Sequence, residues 1–247
     1  MDVLYVIGSG SQQKNLELRM SLRSISKYAK NIGKVVVAGR PPQWLSKEVV
    51  KVPVEDRFTY KHPNILNCIE EVVDKGIIKG EFLYSSDDHF YVNYVDFDNY
   101  PYFIKGELRQ TIAPSDPYYQ YHKSLYDTRM LCVKHQFPTQ NYSQHCNTHM
   151  HAEVIKEIRP IIHESYLLPF GVEPTSLIMN AWQTREDAPK VELREDVKIT
   201  RAPNVKSIYE QIGHRDCFSI SDSVFYHKAI YDFFGLEYGI KSIFEAE

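Results

Sequence analysis

The 247-residue sequence is most informative first for what it lacks. No apolar run approaches the roughly 18 residues of a membrane helix. The N-terminus, MDVLYVIGSGSQQ, has neither the basic start nor the length of a secretory leader, so no membrane segment and no leader are expected. The four cysteines, Cys68, Cys132, Cys146 and Cys217, stand far apart with no CxxC pair. That argues against a zinc ribbon or a disulfide framework and predicts a reducing, cytoplasmic setting. There is no P-loop, no GxGxxG, no HExxH, no GxSxG and no Cys/His nucleophile pattern. An excess of positive charge is absent too. With 29 Lys and Arg against 32 Asp and Glu, the net charge of −3 argues against broad nonspecific nucleic-acid binding, leaving room only for a local basic face. Internal repeats, low-complexity tracts and linkers are also missing, which predicts one compact domain over residues 1–247.

What is present reads as an ordinary globular chain, 43% hydrophobic and 25% charged, with 18 tyrosines that suggest polar, ring-lined surfaces. DVLYVIG, KVVVAG, EVVKVPV and GEFLYSS read as strands. NLELRMSLRSISKYAKNIG and NILNCIEEVVDKGI read as helices between them. Continuous apolar strands alternating with helices predict an α/β fold with a mostly parallel, Rossmann-like sheet flanked by helices. This nucleotide-binding half covers residues 1–95. Ligands of such sheets bind beyond the carboxyl ends of the strands, so residues 8–11, 39–42 and 85–89 are expected to converge on one site. Residues 96–247 form a mixed C-terminal elaboration, the acceptor and catalytic half. It holds a helix over about 119–135, another begun near His149 and bent at Pro160, a polar surface excursion over 181–204, and a closing strand, turn and helix.

Four groups of residues carry candidate chemistry. Asp87 and Asp88 end a buried strand, where hard carboxylate oxygens suit a divalent cation; a solvated loop in which one acid caps a turn is the competing reading, and the strand context favours the metal. His145, His149 and His151 crowd seven residues. Asn147 and Thr148 read as N-cap residues, which places His145 in the preceding loop, suited to acid/base or phosphate contact rather than to a zinc pair. Arg19 and Arg23 share a helix face and could reach a pyrophosphate or a carboxylate bidentately, against the alternative of a solvated charged face for one of them. Asp222 follows a short strand and precedes a helix; composition alone makes it an N-cap.

Together these segments resemble the Stealth family, bacterial capsular-polysaccharide hexose-1-phosphate transferases. DVLYVIGSGS is similar to the family's first region. LELRMSLRSISKYAKNIGKVVVAGRPPQWL and EFLYSSDDHFYV resemble the second, including Glu17, Arg19, Ser21, Arg23, Ser24 and Trp44. YSQHCNTHMHAEVIKEI resembles the third, and DCFSISDSVFYHKAIYDFF the fourth. Ser86 stands where the family has Asn before the aspartates, and His89 where it has an aromatic or apolar residue. The first half also looks like a GT-A glycosyltransferase domain. The resemblance implies a metal-dependent transferase that takes a nucleotide-activated sugar, most simply a UDP-sugar, with Mg²⁺ or Mn²⁺, to a glycan-type acceptor, by glycosyl or by sugar-1-phosphate transfer. It implies Asp87 and Asp88 as metal ligands. His89 is left open between a third ligand and a donor-pocket group. Gly8, Ser9 and Gly10 would lie under the nucleotide and Arg19 or Arg23 against phosphate. His145 and Asp222, with Asp88, would do the catalytic work. Short stand-alone proteins of this look occur in phage genomes, which adds a hydroxymethylated DNA base as an alternative acceptor, one that the net charge disfavours. The remaining alternative is a carbohydrate- or nucleotide-binding module without turnover.

Overall fold

A computed structural model describes residues 1–9 and 14–246. The first half alternates as expected: β1 (Asp2–Ile7), α1 (Leu16–Tyr28), β2 (Ala29–Lys30), β3 (Val35–Gly39), β4 (Val49–Pro53), α2 (Lys61–Asp74) and β5 (Glu81–Ser85). Short strands β6 (Phe90–Tyr91), β7 (Val95–Asp96) and β8 (Tyr102–Ile104) follow, then α3 (Tyr119–Lys134) and β9 (Thr148–His151). The chain continues through α4 (Ala152–Glu157), α5 (Arg159–Ser165), α6 (Pro174–Trp182), β10 (Val191–Leu193), β11 (Lys198–Ile199) and α7 (Val205–Ile212). It closes with β12 (Cys217–Ile220), α8 (Asp222–Phe225) and α9 (Lys228–Tyr238).

The central sheet runs β4-β3-β1-β5-β9. The first four strands are parallel and β9 pairs antiparallel with β5. The fold is mixed α/β, its mostly parallel sheet flanked by helices and compatible with a Rossmann-like arrangement. The apolar runs explain it: Val3, Leu4, Val36, Val37, Phe82 and Leu83 are buried, as parallel strands covered on both faces must be. One face packs on α2, α4 and α6 through Leu66, Ile69, Ile155 and Ile178; the other packs on α1 through Leu18, Leu22 and Ile25. A third cluster of Phe218, Ile220, Phe233 and Phe234 joins β12 and α9 to Phe90 of β6. The chain runs outward from β1 to β3 and β4, then crosses to β5 on β1's other side, so the strand order reverses at β1. That reversal opens a crevice at the strand carboxyl ends.

The helix expected from about His149 begins at Ala152, and Asn147 and Thr148 do not cap it: residues 148–151 are the edge strand β9, and His151 is the N-cap of α4, its ring accepting from the Glu153 amide at 3.2 Å. Thr148 and Met150 are buried along the strand. His149, also buried, is held between the Glu81 carboxylate (2.5 Å) and the Tyr100 carbonyl (2.8 Å). The polar stretch 181–204 carries two short strands, β10 paired with β8 and β11 with β12. The bend at Pro160 is a break, with α4 ending and α5 starting around it.

Candidate functional site

The crevice holds a cavity of about 850 Å³, within the usual range for small-molecule sites. Its floor is the carboxyl end of β1, Val6 to Ser9. One wall is the turn after β5 with Ser86, Asp87 and Asp88. The opposite wall is the loop before α2, and Asp222 and Tyr226 close it from the C-terminal segment. Residues distant in sequence thus meet where the strand order reverses.

The acidic turn is built tightly. The His89 amide donates to the Ser86 carbonyl (3.3 Å), and the Ser86 amide donates to Nδ1 of the His89 ring (3.3 Å). That ring is 4% exposed, and burial lowers its pKa, which keeps it neutral and able to accept at Nδ1. Below it, the Ser21 hydroxyl of α1 donates to the His89 carbonyl (2.6 Å) and meets the Tyr5 hydroxyl at 3.0 Å. His89 therefore shapes the turn that presents the two aspartates. With Nδ1 accepting from the Ser86 amide, the neutral ring carries its proton at Nε2 and has no free lone pair for a metal.

Asp87 and Asp88 sit half-buried, and neither has an ion-pair partner within 4 Å among the described residues. Burial, then the neighbouring charge of Asp88, push the Asp87 carboxyl up to about 7, while Lys61 works in the opposite direction. Adjacent carboxylates held in this way at a cavity wall fit a hard divalent cation, which would relieve both terms. Two carboxylates are also a donor set that leaves positions for water and substrate phosphate, as Mg²⁺ prefers.

Across the cavity, α2 begins at Lys61 with Tyr60 as its N-cap, and no side chain caps it. A helix start of this kind carries partial positive charge, and Lys61 adds a full one. The loop that leads there is fixed by Asn64. Its side-chain oxygen accepts from the Arg57 and Phe58 amides (2.9 and 3.0 Å), and its amide donates to the Phe58 and Tyr60 carbonyls (2.7 and 3.2 Å). Sequence reasoning missed Lys61, Asn64 and Asp56. The available signal was a lysine opening a helix directly after a loop at the sheet's carboxyl edge. The cavity is acidic: Glu17, Asp56, Asp87, Asp88 and Asp222 line it, and Lys61 is the one cation among the described lining residues.

Of the expected site residues, Gly8, Ser9, Asp87, Asp88 and Asp222 come together on this cavity. Gly10 lies outside the described residues. A Cβ built on Gly8 meets nothing within 4 Å, so its free side faces open space. Asp222 is the first residue of α8, after the N-cap Ser221, and is exposed to the cavity rather than spent on capping. The other residues go elsewhere. Arg23 forks onto Glu245 (2.8 and 3.0 Å) and donates to the Tyr238 carbonyl (3.0 Å), pinning the C-terminal segment to α1. Arg19 lies over the Trp44 ring at 4.5 Å and 3.6 Å from the same glutamate. Neither arginine lines the cavity. His145 lies off the cavity wall, its backbone amide bonded to Asp196. Burial, with Lys105 nearby, lowers its pKa to about 4, poorly matched to proton transfer near neutrality. Residues 39–42 do not line the cavity, though Arg40 pairs with Asp56 of its wall (3.5 Å). Gly39 is required by the sheet itself, with φ of +93° and a would-be Cβ 2.3 Å from the Ile7 carbonyl oxygen.

No helix among the described residues is long and apolar enough to cross a membrane. Comparison of the sequence with protein-family models found no match, and comparison with curated proteins found none either.

Proposed function

We propose that this chain is a metal-dependent transferase of a nucleotide-activated sugar, with a GT-A-like donor half and a glycan-type acceptor. The observation that carries the reading is the pairing across one cavity of an unpartnered Asp87–Asp88 turn with the uncapped start of α2 and Lys61. One side suits a divalent cation and the other a phosphate. A nucleoside diphosphate group bridging them satisfies both. The resemblance to the Stealth regions and to GT-A domains is consistent with this reading and shares Asp87 and Asp88 with it.

In this reading Asp87 and Asp88 hold Mg²⁺ or Mn²⁺, which would offset the charge that develops on the leaving group. Lys61 and the first turn of α2 bind the diphosphate. Gly8 and Ser9 leave room for the nucleotide, most simply a uridine nucleotide, with Tyr60 and Tyr226 as ring surfaces. The Asp222 carboxylate accepts the proton from the acceptor hydroxyl as that oxygen attacks. His89 and Ser21 position the acidic turn. A polyanionic acceptor such as DNA finds only Lys61 as a cation among the described lining residues, which the donor diphosphate already uses in this reading.

The test is to incubate the protein with UDP- and GDP-sugars, Mn²⁺ and oligosaccharide acceptors, and to identify the nucleotide released. A nucleoside diphosphate means glycosyl transfer; a monophosphate means sugar-1-phosphate transfer. Binding without release supports a module without turnover and rejects the enzymatic reading.

A further inference from the structure

A second recess of about 320 Å³ adjoins the first, and Phe58 lines both. It runs between α2 and α5, walled by Asn67, Glu70, Glu71 and Asp74 on one side and by Arg159, His163 and Tyr166 on the other. Arg57 reaches Glu71 (3.4 Å), while Glu70 meets His163 (3.2 Å) and accepts from the Tyr166 hydroxyl (2.5 Å). Phe58 and Tyr166 stack with centroids 4.6 Å apart.

Two donors in this wall are left over, Nε of Arg159 and the side-chain NH₂ of Asn67. Asn67 is 6% exposed, and its side-chain NH₂ has no partner among the described residues. A buried donor without a partner costs about 1–3 kcal/mol, which a ligand acceptor atom arriving there would recover. The chemistry of the wall restricts that ligand. The three carboxylates are already paired, Glu71 with Arg57, Glu70 with Arg159 and His163, and Asp74 with Arg159, so a charged ligand would have to break these pairs and an apolar one would leave the two donors unmet. A neutral polyhydroxyl compound fits, because each hydroxyl both donates to a carboxylate and accepts from an amide or guanidinium. Its position bears on size as well. Asn67 lies six residues along α2 from Lys61, roughly 9 Å down the helix axis from the proposed phosphate end. A ligand spanning both is longer than one sugar ring.

We infer that the α2–α5 recess is the acceptor subsite of the enzyme and takes a neutral oligosaccharide of two or more residues, with the Asn67 amide as its recognition donor. This rests on the transferase reading of the neighbouring cavity but is separable from it by experiment. Labelled full-length protein is applied to an array of neutral and sulfated oligosaccharides of one to four residues, and Mn²⁺-dependent UDP binding is measured in parallel. The wild type is expected to retain neutral oligomers of at least two residues. The isosteric Asn67→Asp is expected to lose that retention tenfold or more, as Glu70→Gln does in part, with both variants keeping Mn²⁺-dependent UDP binding, which shows that they are folded. Asp88→Asn is expected to show the reverse, losing UDP and keeping the oligosaccharide. Silence of the wild type on the array, preference for sulfated glycans, or retention unchanged in Asn67→Asp overturns the acceptor site, whatever the nucleotide result. Absence of Mn²⁺-dependent UDP binding with glycan retention intact overturns the transferase reading instead.

Discussion

Replacing Asp87 with Asn is expected to stabilise the metal-free protein at pH 8 while abolishing its response to divalent cations. The sign follows from the position of the ionisation. The ordinary carboxyl value of 3.8 is raised to about 7 in the folded protein, first by burial and then by the charge of Asp88. Between those values the folded state holds a proton that the unfolded chain has released. Stability from this group is therefore complete below about pH 4, falls as pH rises toward 7, and levels off above it. The full displacement would correspond to at most about 4 kcal/mol. Water reaches the half-buried carboxylate, so the effective penalty is on the order of 1–2 kcal/mol. For a chain of this length that is about 2–8 °C in melting temperature. The assay is thermal unfolding of both proteins in chelator at pH 5 and pH 8, then in millimolar Mn²⁺. The wild type is expected to melt lower at pH 8 than at pH 5 and to recover with Mn²⁺. Asp87→Asn is expected to melt higher than the wild type at pH 8 in chelator and to ignore Mn²⁺. A variant less stable than the wild type there, or one still stabilised by the metal, refutes the electrostatic account of this turn.

Three further outcomes follow from the same geometry. Glu245→Ala strands the Arg23 guanidinium, whose partner carboxylate is 2% exposed, and is expected to lower unfolding free energy in urea by about 3 kcal/mol. Gly8→Val, whose Cβ meets no neighbour within 4 Å among the described residues, is expected to leave the melting temperature within about 2 °C, typical of a surface change, yet to abolish nucleotide binding by calorimetry. Asp222→Asn is expected to slow turnover by about 10²–10⁴-fold, the contribution of a general base, whereas His145→Ala changes it by less than about tenfold. The reverse ranking would return the proton-transfer role to the histidine.

The first half of the fold was legible because each strand is a short continuous apolar run and each helix shows an apolar face at helical spacing. β1, β3, β4 and β5 and the helices α1 and α2 follow that pattern. The second half was less so. In β9 the alternation is carried by Thr148 and Met150 against two histidines, so composition read as a loop and a helix start. The helix α6 is buried along its whole length and shows no polar face to set a period. The acidic pair and Asp222 were legible as residues, but their meeting required the crossover from β4 to β5. The arginines misled because their partner, Glu245, lies 222 positions from Arg23 and gives no local signal. Lys61 gained its place only when the loop held by Asn64 turned the start of α2 into the cavity.

The most direct test of the central claim is calorimetric titration of UDP and GDP into the wild type and Asp88→Asn, with Mn²⁺ and with chelator. The account predicts that a nucleoside diphosphate binds the wild type in Mn²⁺ and that affinity falls at least tenfold both in chelator and in Asp88→Asn. Equal affinity with and without the metal, or no binding of either nucleotide in Mn²⁺, would contradict it.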